Sequence, residues 1–170
     1  MFHAKNYIKV TSLEEAYELN QKKSNAIIGG MLWLKMSNRN MQTAIDLSGL
    51  GLDKIEEQED AFSIGCMCTL RQLEIHEALN RYFGGAMKAC TRHIVGTQFR
   101  NGATVGGSIF GRFGFSDILT CLLALDTYVE LYHAGVIALS EFVEMPRDND
   151  ILVRIIIKKD GRKDCISVTP

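Results

Sequence analysis

Two glycine segments hold the residue types best suited to chemistry in this 170-residue chain: Ile27-Ile28-Gly29-Gly30-Met31-Leu32, and Arg100-Asn101-Gly102-Ala103-Thr104-Val105-Gly106-Gly107-Ser108. Glycine lacks the Cβ that keeps another molecule at a distance, so successive glycines let main-chain N–H groups converge on an anion. Thr104 and Ser108 add hydroxyl donors to the second segment. A diphosphate is a natural ligand for two such segments, since each can serve one phosphate without a lysine. Either segment alone is an ordinary turn signal, because a Gly-Gly pair commonly marks a tight turn or a helix break. The usual nucleotide motifs are missing: there is no G-x-x-x-x-G-K-[ST], and no G-x-G-x-x-G follows a strand. A P-loop nucleotidase and a Rossmann dehydrogenase are therefore disfavoured.

The elements that must position these segments can be read from patterning. A strand around Tyr7 to Val10 leads to a helix with Ser12 as N-cap and Glu15 three residues on, a capping box. Ala26 to Ile28 is a strand-sized apolar run halted by Gly29-Gly30, and Met31 to Met36 reads as a short helix or buried turn. Strands are expected over Thr43 to Leu47, Leu52 to Glu56 and Phe62 to Met67, with Glu56 to Asp60 an acidic solvated turn. Thr69 caps a helix to about Ile75, and Ala78 to Ile94 is helical with a break at Gly84-Gly85. Gly96, Gly102, Gly106, Gly107, Gly111 and Gly114 crowd the next stretch, which reads as a loop because glycine disfavours helix and strand interiors. Ser116 and Asp117 introduce an apolar helix from Ile118 to Leu125. Strand Thr127 to His133, a turn at Ala134-Gly135, a short helix after Ser140 and strand Ile151 to Lys158 follow, with a last hairpin through Asp160-Gly161 to Asp164–Val168.

Composition excludes several classes. Lysine plus arginine (19) nearly balance aspartate plus glutamate (20), with no long single-sign run, so neither nucleic acid nor an anionic membrane is an expected partner. The start of the chain lacks a signal-peptide pattern and no run of about 18 apolar residues occurs, so a cytoplasmic location is expected. The five cysteines (Cys66, Cys68, Cys90, Cys121, Cys165) are read as reduced, mostly buried thiols rather than a disulfide or metal framework. His93 sits on an apolar helix pattern with no partner acid in view and is read as a structural or surface histidine. Trp33 either stacks on a ring or fills the core, and the core is favoured.

Taken jointly, Gln98-Phe99-Arg100-Asn101-Gly102-Ala103-Thr104-Val105-Gly106-Gly107-Ser108, then Ser116-Asp117, then Leu123-Ala124-Leu125-Asp126, resemble the pattern Q-[IF]-R-N-x-A-T-[IV]-G-G-N … S-D … L-L-A-L-[DG]. That pattern belongs to the FAD-binding subunit or domain of molybdopterin dehydrogenases, similar to the medium subunits of xanthine dehydrogenase and carbon monoxide dehydrogenase. The family's earlier A-G-G-T-D-L falls on Ile28-Gly29-Gly30-Met31-Leu32-Trp33. The resemblance runs from about Tyr7 to the last residue.

It implies an α+β protein of the PCMH-type FAD-binding fold: two α/β subdomains, residues 1–56 and 57–170, with FAD in the cleft between them and the family's C-terminal domain absent. It assigns Ile27, Ile28, Gly29, Gly30, Met31, Leu32 and Trp33 to one side of the FAD diphosphate. Ala103, Thr104, Gly106, Gly107 and Ser108 fall on the other side, with Gly111 in the same loop, and Ser116 and Asp117 beside the adenosine ribose. Met31 and Leu32 stand where the family has threonine and an acidic residue, and Ser108 and Gly114 where asparagine and proline are usual. Each lost charge-assisted hydrogen bond would weaken FAD binding by roughly 1.5 to 3 kcal/mol. The implied partners are a molybdopterin-binding large subunit, a 2Fe-2S small subunit and NAD or another acceptor. Substrate would be oxidised at molybdenum on one partner, and electrons would pass through iron–sulfur clusters to this flavin. A cofactor-free scaffold and a stand-alone flavin reductase remain as other readings.

Overall fold

The computed structural model describes residues 2–161, and the expected Asp164–Val168 strand lies outside them. Two sheets organise the chain. The first is parallel, in the order β1-β3-β2, formed by β1 (His3–Lys9), β2 (Asn25–Ile28) and β3 (Asn40–Asp46), with α1 (Leu13–Asn20) crossing from β1 to β2. The second is antiparallel, in the order β4-β5-β8-β6-β7, formed by β4 (Ile55–Glu57), β5 (Ala61–Gly65), β6 (Thr127–Leu131), β7 (Gly135–Ala138) and β8 (Leu152–Lys158). Between β5 and β6 runs a helical stretch: α2 (Leu70–Ile75), α3 (Glu77–Tyr82), α4 (Ala86–Thr91), α5 (Thr97–Gly102), α6 (Val105–Phe110) and α7 (Asp117–Leu123). The short α8 (Leu139–Glu144) follows β7. The fold is α+β, as the sequence implied.

Local chemistry explains most boundaries. Ser12 caps α1 by accepting the Glu15 amide, but the Glu15 carboxylate takes the Thr11 amide at 2.8 Å, so the reciprocal half of the box closes one residue early. Thr69 and Gln72 form a complete box at α2, each side chain satisfying the other's backbone N–H. Gly84 and Gly85, at φ 58° and 83°, break the helix between α3 and α4, the conformation a residue with Cβ resists. The expected strand at Leu52–Glu56 is instead the three-residue β4, which begins at Ile55.

β8 lies between β5 and β6, and its buried Val153, Ile155 and Ile157 alternate with the half-buried Arg154, Ile156 and Lys158, the pattern of an antiparallel strand with one face on the core. One large core joins Phe62, Ile64, Leu73, Leu79, Met87, Ile109, Leu122 and Phe142 to Val10, Ile45 and Leu47 of the first sheet. A smaller cluster of Ile28, Met41 and Ala44 lies apart. The two sheets are linked near α1, where Asn20 and Gln21 donate to the Asn149 carbonyl at 2.8 and 3.2 Å and the Tyr17 ring stacks on His133.

Candidate functional site

The glycine-rich stretch is helical from Thr97 to Phe110, apart from a short break, and is a loop, as read, only from Gly111 to Gly114. It folds as α5 and α6 with a two-residue break at Ala103-Thr104. Glycine's helix penalty of about 1 kcal/mol each is overridden because tertiary contacts demand the missing Cβ. A Cβ on Gly106 would lie 2.7 Å from the Cys66 carbonyl oxygen, and one on Gly30 only 1.4 Å from the Gly102 carbonyl oxygen. A Cβ on Gly29 would meet Thr104 Oγ1 at 2.4 Å. The turn after β2 and the break between α5 and α6 are therefore in direct apposition, and only glycine permits the approach.

The amides of the two segments differ. In the second, Ala103 donates to the Phe99 carbonyl at 2.8 Å, Val105 to Cys68 at 2.8 Å, Gly106 to Cys66 at 2.8 Å and Ser108 to Thr104 at 3.1 Å. The Gly107 amide has only the Thr104 hydroxyl, at 3.3 Å. The hydroxyl of Ser108 donates to the Thr104 carbonyl. In the first segment, no backbone hydrogen bond donated by Gly30, Met31 or Leu32 is found among the described residues. Amides without backbone partners thus come from the turn after β2, while the second segment supplies Gly107 and the Thr104 hydroxyl.

Two cavities meet at this junction, of about 790 and 460 Å³, sizes in the range of small-molecule and cofactor sites. Ile27, Gly29, Trp33, Leu34, Thr104, Gly107 and Phe113 line both, so the glycine junction is a saddle between them. The larger cavity runs along β2 from Ile28 to Asn25, past Gly106 and Gly111, and is closed by residues Arg147 to Leu152. The three strand rises from Asn25 to Ile28 set the β2 wall at roughly 10 Å. The smaller one is bordered by Gly30, Met31, Leu32, Ala103, Ser108, Ser116 and Asp117, and by His93, Val95, Phe99 and Phe115.

Every residue named from the sequence borders a cavity: Ile27, Gly29, Trp33, Thr104 and Gly107 border both, Ile28, Gly106 and Gly111 the larger alone, and Gly30, Met31, Leu32, Ala103, Ser108, Ser116 and Asp117 the smaller alone. Ser116 is committed to its own fold, accepting the Leu119 amide at the start of α7 and donating to the Ser108 carbonyl at 3.3 Å. The neighbouring Asp117 carboxylate is exposed.

Two readings change, and one aromatic pair was missed. Trp33 is not a core residue: it is 63% exposed and meets the Phe99 ring edge-on at 5.6 Å. His93 is not on a helix; it lies in the turn after α4, accepts a hydrogen bond from Arg92 Nε and borders the smaller cavity. Phe113 and Phe115, not singled out from sequence, stack on each other at 5.2 Å beside the smaller cavity. Their signal was present as aromatic residues alternating with glycine where no helical or strand periodicity calls for them. Cys66 and Cys68 are buried as expected, and burial pushes their thiols up to about 12 and about 11, which leaves them protonated and unreactive at neutral pH. Cys165 falls outside the described residues.

Strain gathers at the same place. Met31, Val95 and Arg112 are the non-glycine residues with positive φ among those described, at 58°, 52° and 48°. Met31 and Val95 border the smaller cavity, and Arg112 sits between Gly111 and Phe113. Such conformations cost on the order of 1 to 3 kcal/mol each and persist where surrounding contacts enforce them. Arg112 Cζ lies 3.9 Å from the Phe142 ring centroid, a cation–π contact that anchors the turn.

A diphosphate-bearing dinucleotide fits this arrangement: a waist with open amides and no Cβ in the way, flanked by two chambers. The comparisons with known proteins agree. Residues 2–159 match the profile described as FAD binding domain in molybdopterin dehydrogenase. The chain belongs to this family, and FAD is the family's cofactor. It is 28% identical over 160 residues to the uncharacterized protein YgfM of Escherichia coli K12, covering 92% of this chain and 60% of that protein. Among solved structures, quinoline 2-oxidoreductase from Pseudomonas putida 86 superposes with a TM-score of 0.81 at 20% identity, over 93% of this chain and 60% of the other. Carbon monoxide dehydrogenase from Hydrogenophaga pseudoflava gives 0.81 at 20% identity, over 92% and 59%. The chain thus spans about 60% of the length of these relatives. Among the described residues no cluster of metal-ligating side chains occurs, and no helix is long and apolar enough to cross a membrane.

Proposed function

We propose that this chain is the FAD-holding part of a molybdenum hydroxylase complex and that it relays electrons through the flavin. The observation that carries the reading is the saddle: the Gly30 turn pressed on the Gly102 carbonyl, with the amides of Gly30, Met31 and Leu32 left without backbone partners among the described residues. The diphosphate would lie on these amides, with the Gly107 amide and the Thr104 hydroxyl opposite. The two ring-bearing arms would extend into the two cavities, between portions 1–56 and 57–170. Asp117 would accept hydrogen bonds from ribose hydroxyls, since the Ser116 hydroxyl beside it is already engaged. Trp33, Phe99, Phe113 and Phe115 offer apolar faces for a planar ring and displace water from it.

When bound, the flavin supplies the redox chemistry, and the protein supplies binding, orientation and exclusion of water. By family likeness, the electrons would arrive from a 2Fe-2S subunit. That subunit would be fed by a molybdopterin-binding large subunit oxidising a purine, another heterocycle, an aldehyde or carbon monoxide, and NAD or another acceptor would take the electrons onward.

A second reading, a scaffold subunit without flavin, has one observation in its favour: Met31 and Leu32 bring no side-chain donor, and Gly106 and Ser108 have no amide to give. A visible spectrum of the purified chain, with mass measurement of the extracted cofactor, separates the two. Bound oxidised FAD supports the relay; a colourless protein that takes up no added FAD sinks it.

A further inference from the structure

Resting on the reading that the cleft holds a flavin dinucleotide, we infer that Arg100 is a positioning residue. It holds the wall of the smaller cavity in shape and so governs affinity for whichever half of the dinucleotide enters there. Arg100 is buried and forms no contact with the cavity itself. Its guanidinium is a junction of three elements. Nε and Nη2 donate to the Glu74 carboxylate of α2 at 2.8 and 3.4 Å, Nη2 donates to the Thr97 hydroxyl oxygen at 3.3 Å, and Nη1 donates to the Ile94 carbonyl at 3.2 Å. Arg71 Nη1 pairs with the same Glu74 oxygen, Oε2, at 3.0 Å.

The Ile94 carbonyl is the informative partner. It opens the turn that leads through Val95, at φ 52°, to Gly96. A β-branched residue does not adopt left-handed backbone unless held there. The Val95 side chain is itself 71% exposed, so packing does not hold it; the tether at the preceding carbonyl does. His93, Ile94 and Val95 border the smaller cavity, as does Met31, whose φ is also positive. A buried five-donor fork can grip the carboxylate and the carbonyl at once, which a lysine, carrying one compact ammonium, does not reproduce. The cost of the bent wall is thus met before ligand arrives, and ligand gains from a preorganised surface.

The test compares the wild type with Arg100→Lys and Arg71→Ala, measuring dissociation constants for FAD, FMN and ADP, and melting temperature. Arg100→Lys keeps a cation for Glu74 but drops the Ile94 tether; Arg71→Ala weakens the Glu74 network and leaves the tether. We expect Arg100→Lys to weaken FAD by roughly tenfold, the value of one buried charged hydrogen bond. It should weaken only one fragment, FMN or ADP, with the other within about twofold; which one falls identifies the arm that occupies the smaller cavity. Arg71→Ala should lower the melting temperature with all three constants unchanged. Equal loss of both fragments, loss of neither, or the same binding defect in Arg71→Ala overturns the assignment. Should Arg100→Lys not fold, Val95→Gly tests the same wall by freeing its backbone, and unchanged fragment constants there overturn it too. A wild type that binds FAD separates these failures from that of the cofactor reading, which falls if the wild type takes up no FAD.

Discussion

The glycine turn after β2 and the glycine-rich stretch of α5 and α6 carry similar residues, yet their backbones are committed differently. In the turn, Gly30 is glycine because the Gly102 carbonyl fills the place of its Cβ, and its N–H and those of Met31 and Leu32 have no backbone partner among the described residues. In α6, Gly106 is glycine because Cys66 packs on it, and its N–H goes to the Cys66 carbonyl. One glycine makes a donor available, and the other makes a joint between helix and sheet. Glycine pairs in sequence therefore mark close approach; whether they mark a ligand depends on where the amides point.

Substitutions can break this comparison. The largest effect is expected at Gly30→Ala, where the new methyl would overlap the Gly102 carbonyl: the saddle should open and FAD binding vanish, read by loss of flavin absorbance after purification. Gly106→Ala overlaps the Cys66 carbonyl and Cβ at 2.7 and 2.8 Å, and should cost about 1 to 3 kcal/mol of stability in urea unfolding. If it instead abolished FAD binding with stability intact, the division between joint and donor would be wrong. Gly107→Ala sharpens the contrast. Its Cβ meets only the Thr104 hydroxyl, at 3.2 Å, so the helix should gain about 0.5 to 1 kcal/mol while FAD affinity drops by titration. Thr104→Val removes the cap on the Gly107 amide and should cost about 0.5 to 2 kcal/mol in the same unfolding measurement.

The smallest effect is pH-dependent. Burial pushes the Glu74 carboxyl upward, but hydrogen bonds from Arg100 and Arg71 outweigh it, and the group sits below its ordinary value of 4.5. Its stabilisation is complete above that value and is lost as pH falls through the lower folded one. Glu74→Gln should flatten the acid limb of stability against pH and leave the neutral region's slope unchanged.

Much of this was legible in the residues. Strand β2 halting at Gly29-Gly30, the Thr69 cap and the break at Gly84-Gly85 are local signals, and local chemistry governed them. The misread parts are those where distant partners decide. Six-residue helices at α5 and α6 form despite their glycines because Cys66, Cys68 and the β2 turn need close contact there. Residue type alone favours the core for Trp33, and only the family resemblance puts it beside the cofactor; its place on the saddle follows from a pairing of segments some 70 residues apart, which single-chain patterning does not encode. Likewise, no sequence signal tells that the Ser108 and Gly106 amides are already occupied.

The parallel sheet has its own small apolar cluster, Ile28, Met41 and Ala44, and otherwise leans on the body through Val10, Ile45 and Leu47. Such a layer is where amide hydrogens should exchange first, through partial opening well below global unfolding. Because one face of the diphosphate waist belongs to that layer, a dinucleotide clamped across it would act as a rivet. Slowed exchange in β2 and β3, more than in β8, would then be the footprint of occupancy.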